Sequence, residues 1–179
     1  RQEVYQRDQK WVQGILTAGQ RAQRFNQQPA LIIITGEKGM GRKRLAAHLE
    51  QYLFTEGSLV YYLGIGSVIH GVNFDLTNRS KPEEWAEHVR RFAEVCHLLL
   101  DTGLILIVTA IELTSADVKI LKAIINTEII QTIWLGDKIT TDLVPDIHLR
   151  LDEDEETQLA RIKAGIEAAG VVNGAHEIP

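Results

Sequence analysis

The sequence predicts a three-layer α/β/α sandwich around a mainly parallel, five-stranded sheet. Segments with strand character alternate with segments of helical period along the chain. Its strands, "ALIIIT" above all, are apolar on both faces, which a sheet covered on both sides requires. A glycine-spaced turn, "GEKGMG" (36–41), joins the first strand to a helix, as in phosphate-binding strand–loop–helix units.

Element by element, residues 2–24 carry Val4, Trp11, Ile15 and Leu16 among glutamines and arginines, which predicts one helix with a narrow apolar stripe. "NQQP" (26–29) breaks the chain before the strand at 30–35. A helix follows at about 42–55, with Leu45, Leu49, Tyr52 and Leu53 on one face and Glu56-Gly57 as its stop. "LVYYL" (59–63) is a second strand. Pro82 starts a helix, and Trp85, Val89, Phe92, Val95 and Leu99 carry it to about Thr102. "LILIVTAI" (104–111) is the third strand, and Thr114 or Ser115 caps a helix to about Asn126. "IIQTIWL" (129–135) and "DIHLRL" (146–151) complete the sheet. The last helix runs from about Glu155 to Ala169, with Leu159, Ile162 and Ile166 inward. The acidic "DEDEE" (152–156) places negative charge at that helix N-terminus, where the macrodipole favours it.

In the loop, glycines at 36, 39 and 41 let backbone N–H groups turn inward around a phosphate, and Gly36 to Gly41 matches G-x-x-x-x-G. The fold is therefore of the P-loop NTPase type. The nucleotide-binding candidates are Gly36, Glu37, Lys38, Gly39, Met40, Gly41, Arg42, Lys43 and Arg44. The two residues after Gly41 depart from a working loop, which has a lysine for the β- and γ-phosphates and then a hydroxyl for Mg²⁺. Arg42 keeps the charge, but its planar guanidinium is too broad for a slot shaped to an ammonium. Lys43 removes the hydroxyl and puts a cation beside the metal position, so Mg²⁺ binding is not expected. A one-residue slip would make Lys43 the phosphate lysine, with Arg44 in the hydroxyl position. Lys38, Arg42, Lys43 and Arg44 together still offer an anion a cationic patch.

"LFTEGSLVYYLGIGSVIHGVNFDL" (53–76) and "EHVRRFAEVCHLLLDTGLILIVTAI" (87–111) resemble the adenylylsulfate (APS) kinase family. "QRAQRFNQQPALIIITG" resembles the entry to the kinase domain in bifunctional members fused to an ATP-sulfurylase or GTPase-type unit. The likeness covers about residues 15–125, and "HGVNFDL" is its most specific part. It implies phosphorylation of the 3′-hydroxyl of APS by MgATP to give PAPS in sulfate assimilation. Position by position, much of that chemistry is replaced. The family's D-G-D-N is Gly64, Ile65, Gly66 and Ser67, without either carboxylate. Two arginines that would hold APS are Ile69 and Phe74, and another falls at Ser115. His70, Asn73, Asp75 and Arg90 remain as a substrate-like pocket, with Gly71 and Arg91 beside them. The lid of small P-loop kinases lies between the fourth and fifth strands. Here that gap is "GDKITTDLVP" (136–145), with Lys138 as its only cation.

The expected function is an APS-kinase-like domain with a degraded catalytic site and no catalytic residue assigned. It acts as a nucleotide-binding, regulatory or dimerisation module. The alternative is an active APS kinase. Some family members use a degenerate kinase domain for allosteric control, so the resemblance allows that role. ATP or ADP, or APS or PAPS, are the ligand candidates. A homodimer, or contact with a fused ATP-sulfurylase or GTPase-type domain, is the partner expectation. The chain is expected to divide into an N-terminal helix and linker (1–28), the P-loop domain (29–172) and a tail (173–179).

The bulk numbers agree. At 179 residues, with 45% hydrophobic and 24% charged residues and a net charge of −5, the chain suits one globular domain and carries no basic field for nucleic acid or anionic membrane. No secretory pattern or spanning run is visible, and the single Cys96 excludes an internal disulfide, so a cytoplasmic location is expected. The chain starts at Arg1 and its only methionine is Met40, which reads as a piece of a longer polypeptide. The histidines show no metal spacing; His48 and His97 read as structural, and Ser67 with His70 lacks an orienting third group. Cys96 reads as core, and Trp11 as either a partner contact or a contact with its own domain.

Overall fold

The computed structural model describes residues 2–76 and 81–172; the expected tail at 173–179 lies outside them. Its elements are α1 (Gln2–Lys10), α2 (Ala18–Phe25), β1 (Ala30–Thr35), α3 (Arg42–Thr55), β2 (Val60–Gly64), α4 (Ile65–Ile69), α5 (Pro82–Leu100), β3 (Ile105–Thr109), α6 (Ser115–Ile124), β4 (Ile130–Leu135), β5 (Ile147–Leu149) and α7 (Glu155–Ala168). The five strands are parallel throughout, in the order β2-β3-β1-β4-β5.

Successive β1 side chains point to opposite faces, and each set finds its own helix layer. Ala30, Ile32 and Ile34 pack with Leu45, Leu49 and Leu53 of α3 and Ile162 and Ile166 of α7. Leu31 and Ile33 pack with Val89, Phe92 and Cys96 of α5 and Leu121 of α6. This is the predicted sandwich. Gln27, buried, donates to the carbonyls of Leu59 and Gly103 and accepts from Leu59 N–H, so one amide ties the entries of β2 and β3 together.

The N-terminal stretch is two helices, not the single one expected over 2–24. The chain leaves α1 after Lys10, and Thr17 restarts it by a capping box with Gln20. Ile15 consequently lies 99% exposed instead of on a docked stripe. α1 lies against α5: Arg7 donates to Glu94 at 2.8 Å and to the Ile124 carbonyl at 3.2 Å, and Glu3 faces Arg90. Trp11 meets the His97 ring edge-on at 5.0 Å, so it docks on its own domain. A short helix, α4, stands where no element was expected, β2 starts and ends one residue later, and β5 is three residues long.

Candidate anion-binding site

The ligand position of an open parallel sheet is outside the carboxyl ends of its strands. Here the ends of β1, β2 and β3 open into a cleft of about 1180 Å³. The loop 36–41 forms one wall. Gly36 has φ 146°, and a Cβ added there would sit 2.2 Å from the Leu135 carbonyl oxygen, so the first glycine lets β1 pass beside the end of β4. Gly39 and Gly41 have φ 85° and 90°, the left-handed conformation that turns the loop into α3. Gly41 is the N-cap of α3 and supplies no side-chain cap, and no acidic residue occupies the first turn. The N–H groups of that turn and the positive end of the dipole therefore face the cleft without a carboxylate to offset them.

Arg42 is only 7% exposed although it lines the cleft. One guanidinium nitrogen donates to the Glu37 carbonyl at 2.9 Å, while the buried Nε has no hydrogen-bond partner. Burial holds its pKa below the ordinary guanidinium value. Lys38, Lys43 and Arg44 line the same wall and are exposed. Arg44 reaches Glu155 at 3.3 Å, and His48 pairs with the same carboxylate through Nδ1. Met40 packs against the core, and Glu37 contributes its carbonyl to Arg42.

The facing wall is mostly apolar: Ile65 and Ile69 of α4, Trp85 of α5, and Ala110 and Ile111 after β3. Tyr62 and Thr109 share a 2.9 Å hydrogen bond between their hydroxyls, and Trp85 is fixed by donating to Asp117 at 3.1 Å. Of these wall residues the sequence pointed to Ile65 and Ile69 through the resemblance alone and missed the others; the strand-end rule would have found Thr109, which ends β3, and Tyr62, two residues before the end of β2. Among the described residues no aspartate or glutamate lines the cleft.

His70 lines this cleft; Asn73, Asp75 and Arg90 do not. Asn73 is buried and its amide contacts His88 Nδ1 at 3.0 Å. Asp75 holds Arg91 through two hydrogen bonds of 2.6 and 3.1 Å, which keep its carboxyl below the usual range. Arg90 is tied to Glu87 at 2.8 Å. Glu87, bonded by Arg90 and then Arg91, has its pKa pulled down to about 2. Ser115, at a position where the resemblance places an arginine, is bound to Asp142 of the β4–β5 loop. That loop contains no helix and lies tied down: Trp134 donates to the Lys138 carbonyl, Thr140 to Glu112 and Thr141 to the Leu113 carbonyl.

Magnesium asks for oxygen ligands in an octahedral shell, usually with one or two carboxylates. Among the described residues, the side-chain oxygens of the cleft are the hydroxyls of Tyr62, Ser67 and Thr109, two of them bonded to each other, and an ammonium at Lys43 stands at the hydroxyl position of the loop. Among the described residues no group of three or more His, Cys, Asp or Glu comes together. The described side chains do not fit the ion. Nor is any helix among the described residues long and apolar enough to cross a membrane.

A family model described as Adenylylsulphate kinase matches residues 28–141. Adenylyl-sulfate kinase 1, chloroplastic, of Arabidopsis thaliana is 37% identical over 102 residues, covering 57% of this chain and 36% of the relative. The adenylyl-sulfate kinase of Clostridium kluyveri is 37% identical over 101 residues, 56% of this chain and 50% of the relative. The chain thus matches half or less of the length of these relatives. The bifunctional enzyme NodQ of Rhizobium meliloti is 40% identical over 86 residues, 48% of this chain and 13% of the relative. Among solved structures, the APS kinase CysC of Mycobacterium tuberculosis superposes with a TM-score of 0.69 at 23% identity, covering 79% of this chain and 99% of that one. The same kinase in complex with AMPPNP and APS superposes at 0.67 with 20% identity, covering 79% and 99%. At these identities the structural likeness bears on the fold.

Proposed function

The chain belongs to the adenylylsulphate kinase family, and from that premise we propose that it is a non-catalytic module of sulfate activation which binds a nucleotide and serves regulation or dimerisation. The observation that carries this reading is the composition of the cleft among the described residues: four cations on the loop side, no carboxylate, and an apolar wall where the acceptor would be held. Phosphoryl transfer is positioning plus electrostatic stabilisation of an in-line phosphate. A cleft that holds phosphates but cannot orient a metal, an acceptor or a closing lid keeps the binding half of that task.

ATP, ADP, APS and PAPS are the proposed ligands. In support, the Mycobacterium tuberculosis relative was solved with AMPPNP and APS. The loop residues Gly36, Lys38, Gly39, Gly41, Arg42, Lys43 and Arg44 would hold phosphate, and His70 would lie at the acceptor end. We place the module at residues 29–172 and assign residues 1–28 to the connection with a neighbouring domain. The bifunctional NodQ relative supports a fused neighbour, and the hexameric APS kinase of Thiobacillus denitrificans supports self-association as a second partner. Calorimetric titration with each of the four nucleotides tests the reading. Micromolar binding of at least one is expected; no heat with any of them would mean a bare scaffold.

A further inference from the structure

We propose that this cleft takes its nucleotide as the metal-free anion, so that magnesium competes with the protein for the phosphates instead of completing the site. The inference rests on the nucleotide-binding reading above and adds the chemical form of the ligand. In a metal-dependent pocket the protein supplies some positive charge and the ion supplies the rest, held by protein oxygens. Here the protein supplies all of it. Lys38, Arg42, Lys43 and Arg44 converge on one wall, and among the described residues no carboxylate lines the cleft to anchor a cation. Two carboxylates beside the loop and its helix are otherwise engaged: Glu155 holds Arg44 and His48, and Glu112 accepts from Thr140 at 2.6 Å.

The buried Arg42 is the second, independent observation. Its Nε is enclosed, bears a hydrogen and has no acceptor among the described residues, in a residue more than nine-tenths buried on the cleft wall. The acceptor its guanidinium has among the described residues is the neutral Glu37 carbonyl, so no hydrogen-bonded carboxylate offsets the Arg42 charge on the cleft wall. Magnesium already bound to a polyphosphate removes two units of negative charge from the ligand. It would also bring a dication toward the cationic loop wall. Both effects weaken attraction to a wall of four fixed cations. ATP and ADP without metal therefore suit the site better than their magnesium complexes.

The test is titration of the protein with ATP and with ADP, each in EDTA and in excess MgCl₂. The expected result is binding in EDTA that weakens about tenfold in magnesium, the scale of one or two screened ion pairs. Arg42→Ala, with folding checked by circular dichroism, is expected to weaken binding in EDTA about tenfold, because the lost donor is buried and specific. Lys43→Ser, an exposed change, is expected to narrow the gap between the two buffers. Affinity that is equal in both buffers, or tighter in magnesium, overturns this inference while leaving nucleotide binding in place. No binding of either nucleotide in either buffer overturns it too, and the wider reading falls with it if APS and PAPS are also silent.

Discussion

Gly36 and Gly39 belong to the same loop but hold it for different reasons. At Gly36 the backbone of β1 runs so close to β4 that an added Cβ would reach the Leu135 oxygen at 2.2 Å. At Gly39 nothing lies within 4 Å of an added Cβ, and only the left-handed φ of 85° opposes a side chain. Gly36→Ala is therefore expected to destabilise the fold by about 2–4 kcal/mol, combining strain and backbone clash. Gly39→Ala should cost about 1–2 kcal/mol, from conformation alone. Urea midpoints measured at unchanged slope would check both values, and equal costs would contradict the packing role of Gly36. The motif spacing was legible in the letters, whereas the approach of Leu135 was not, because it joins residues 99 apart. Arg42 was legible in part. Its breadth predicted a misfit with a lysine slot, but not that the side chain would fold back onto the Glu37 carbonyl. Sequence grouped Asp75 and Arg90, yet it is the neighbouring Arg91 that takes Asp75, since consecutive residues on a helix point about 100° apart.

At the scale of elements, long periodic segments were readable and short ones were not. The predicted helix at 42–55 coincides with α3, and the start predicted at Pro82 is that of α5. α4 has only five residues, too few to show a period. The stretch 2–24 misled because its apolar positions fit a stripe, while the local signals that split it, Gly14 and the Thr17-x-x-Gln20 box, are weaker in pattern but decisive in hydrogen bonds. α5 carries its own electrostatic clamp: Glu87 accepts from Arg90 and Arg91, and Arg91 continues to Asp75 in the turn after α4. The Glu87 carboxyl titrates near 4.5 in an ordinary setting and near 2 in the fold. A depressed carboxylate pKa gives stability that is full above the unfolded value and is lost as pH falls through the folded one. Glu87→Gln should thus lower stability by about 1 kcal/mol at neutral pH, the scale of partly exposed ion pairs. The difference should shrink below pH 4.5 and vanish near pH 2. A difference that persists unchanged at pH 2 would show that the clamp acts by packing.

Across the whole molecule, the sheet, its helix layers and the strand-end cleft agree with one another. The alternation of strands and helices foretold the sandwich, because each buried strand needs apolar cover on both faces. The two walls of the cleft could be foretold only in part. The cationic wall is contiguous in sequence, from Lys38 to Arg44, and was visible there. The apolar wall is assembled from α4, α5 and the end of β3, so tertiary packing alone brings Trp85 opposite the loop. The β4–β5 loop is a further property of the whole: it is bound to the loop before α6 through Thr140 and Thr141 and to the first residue of α6 through Asp142, and has no helix to swing over a bound phosphate. The proposal of retained binding with lost transfer thus concerns the complete cleft, and turnover tests it most directly. In a coupled assay with APS and MgATP, the expected result is no PAPS formation above the protein-free background. Turnover on the order of one per second or faster, the range of working kinases, would contradict it.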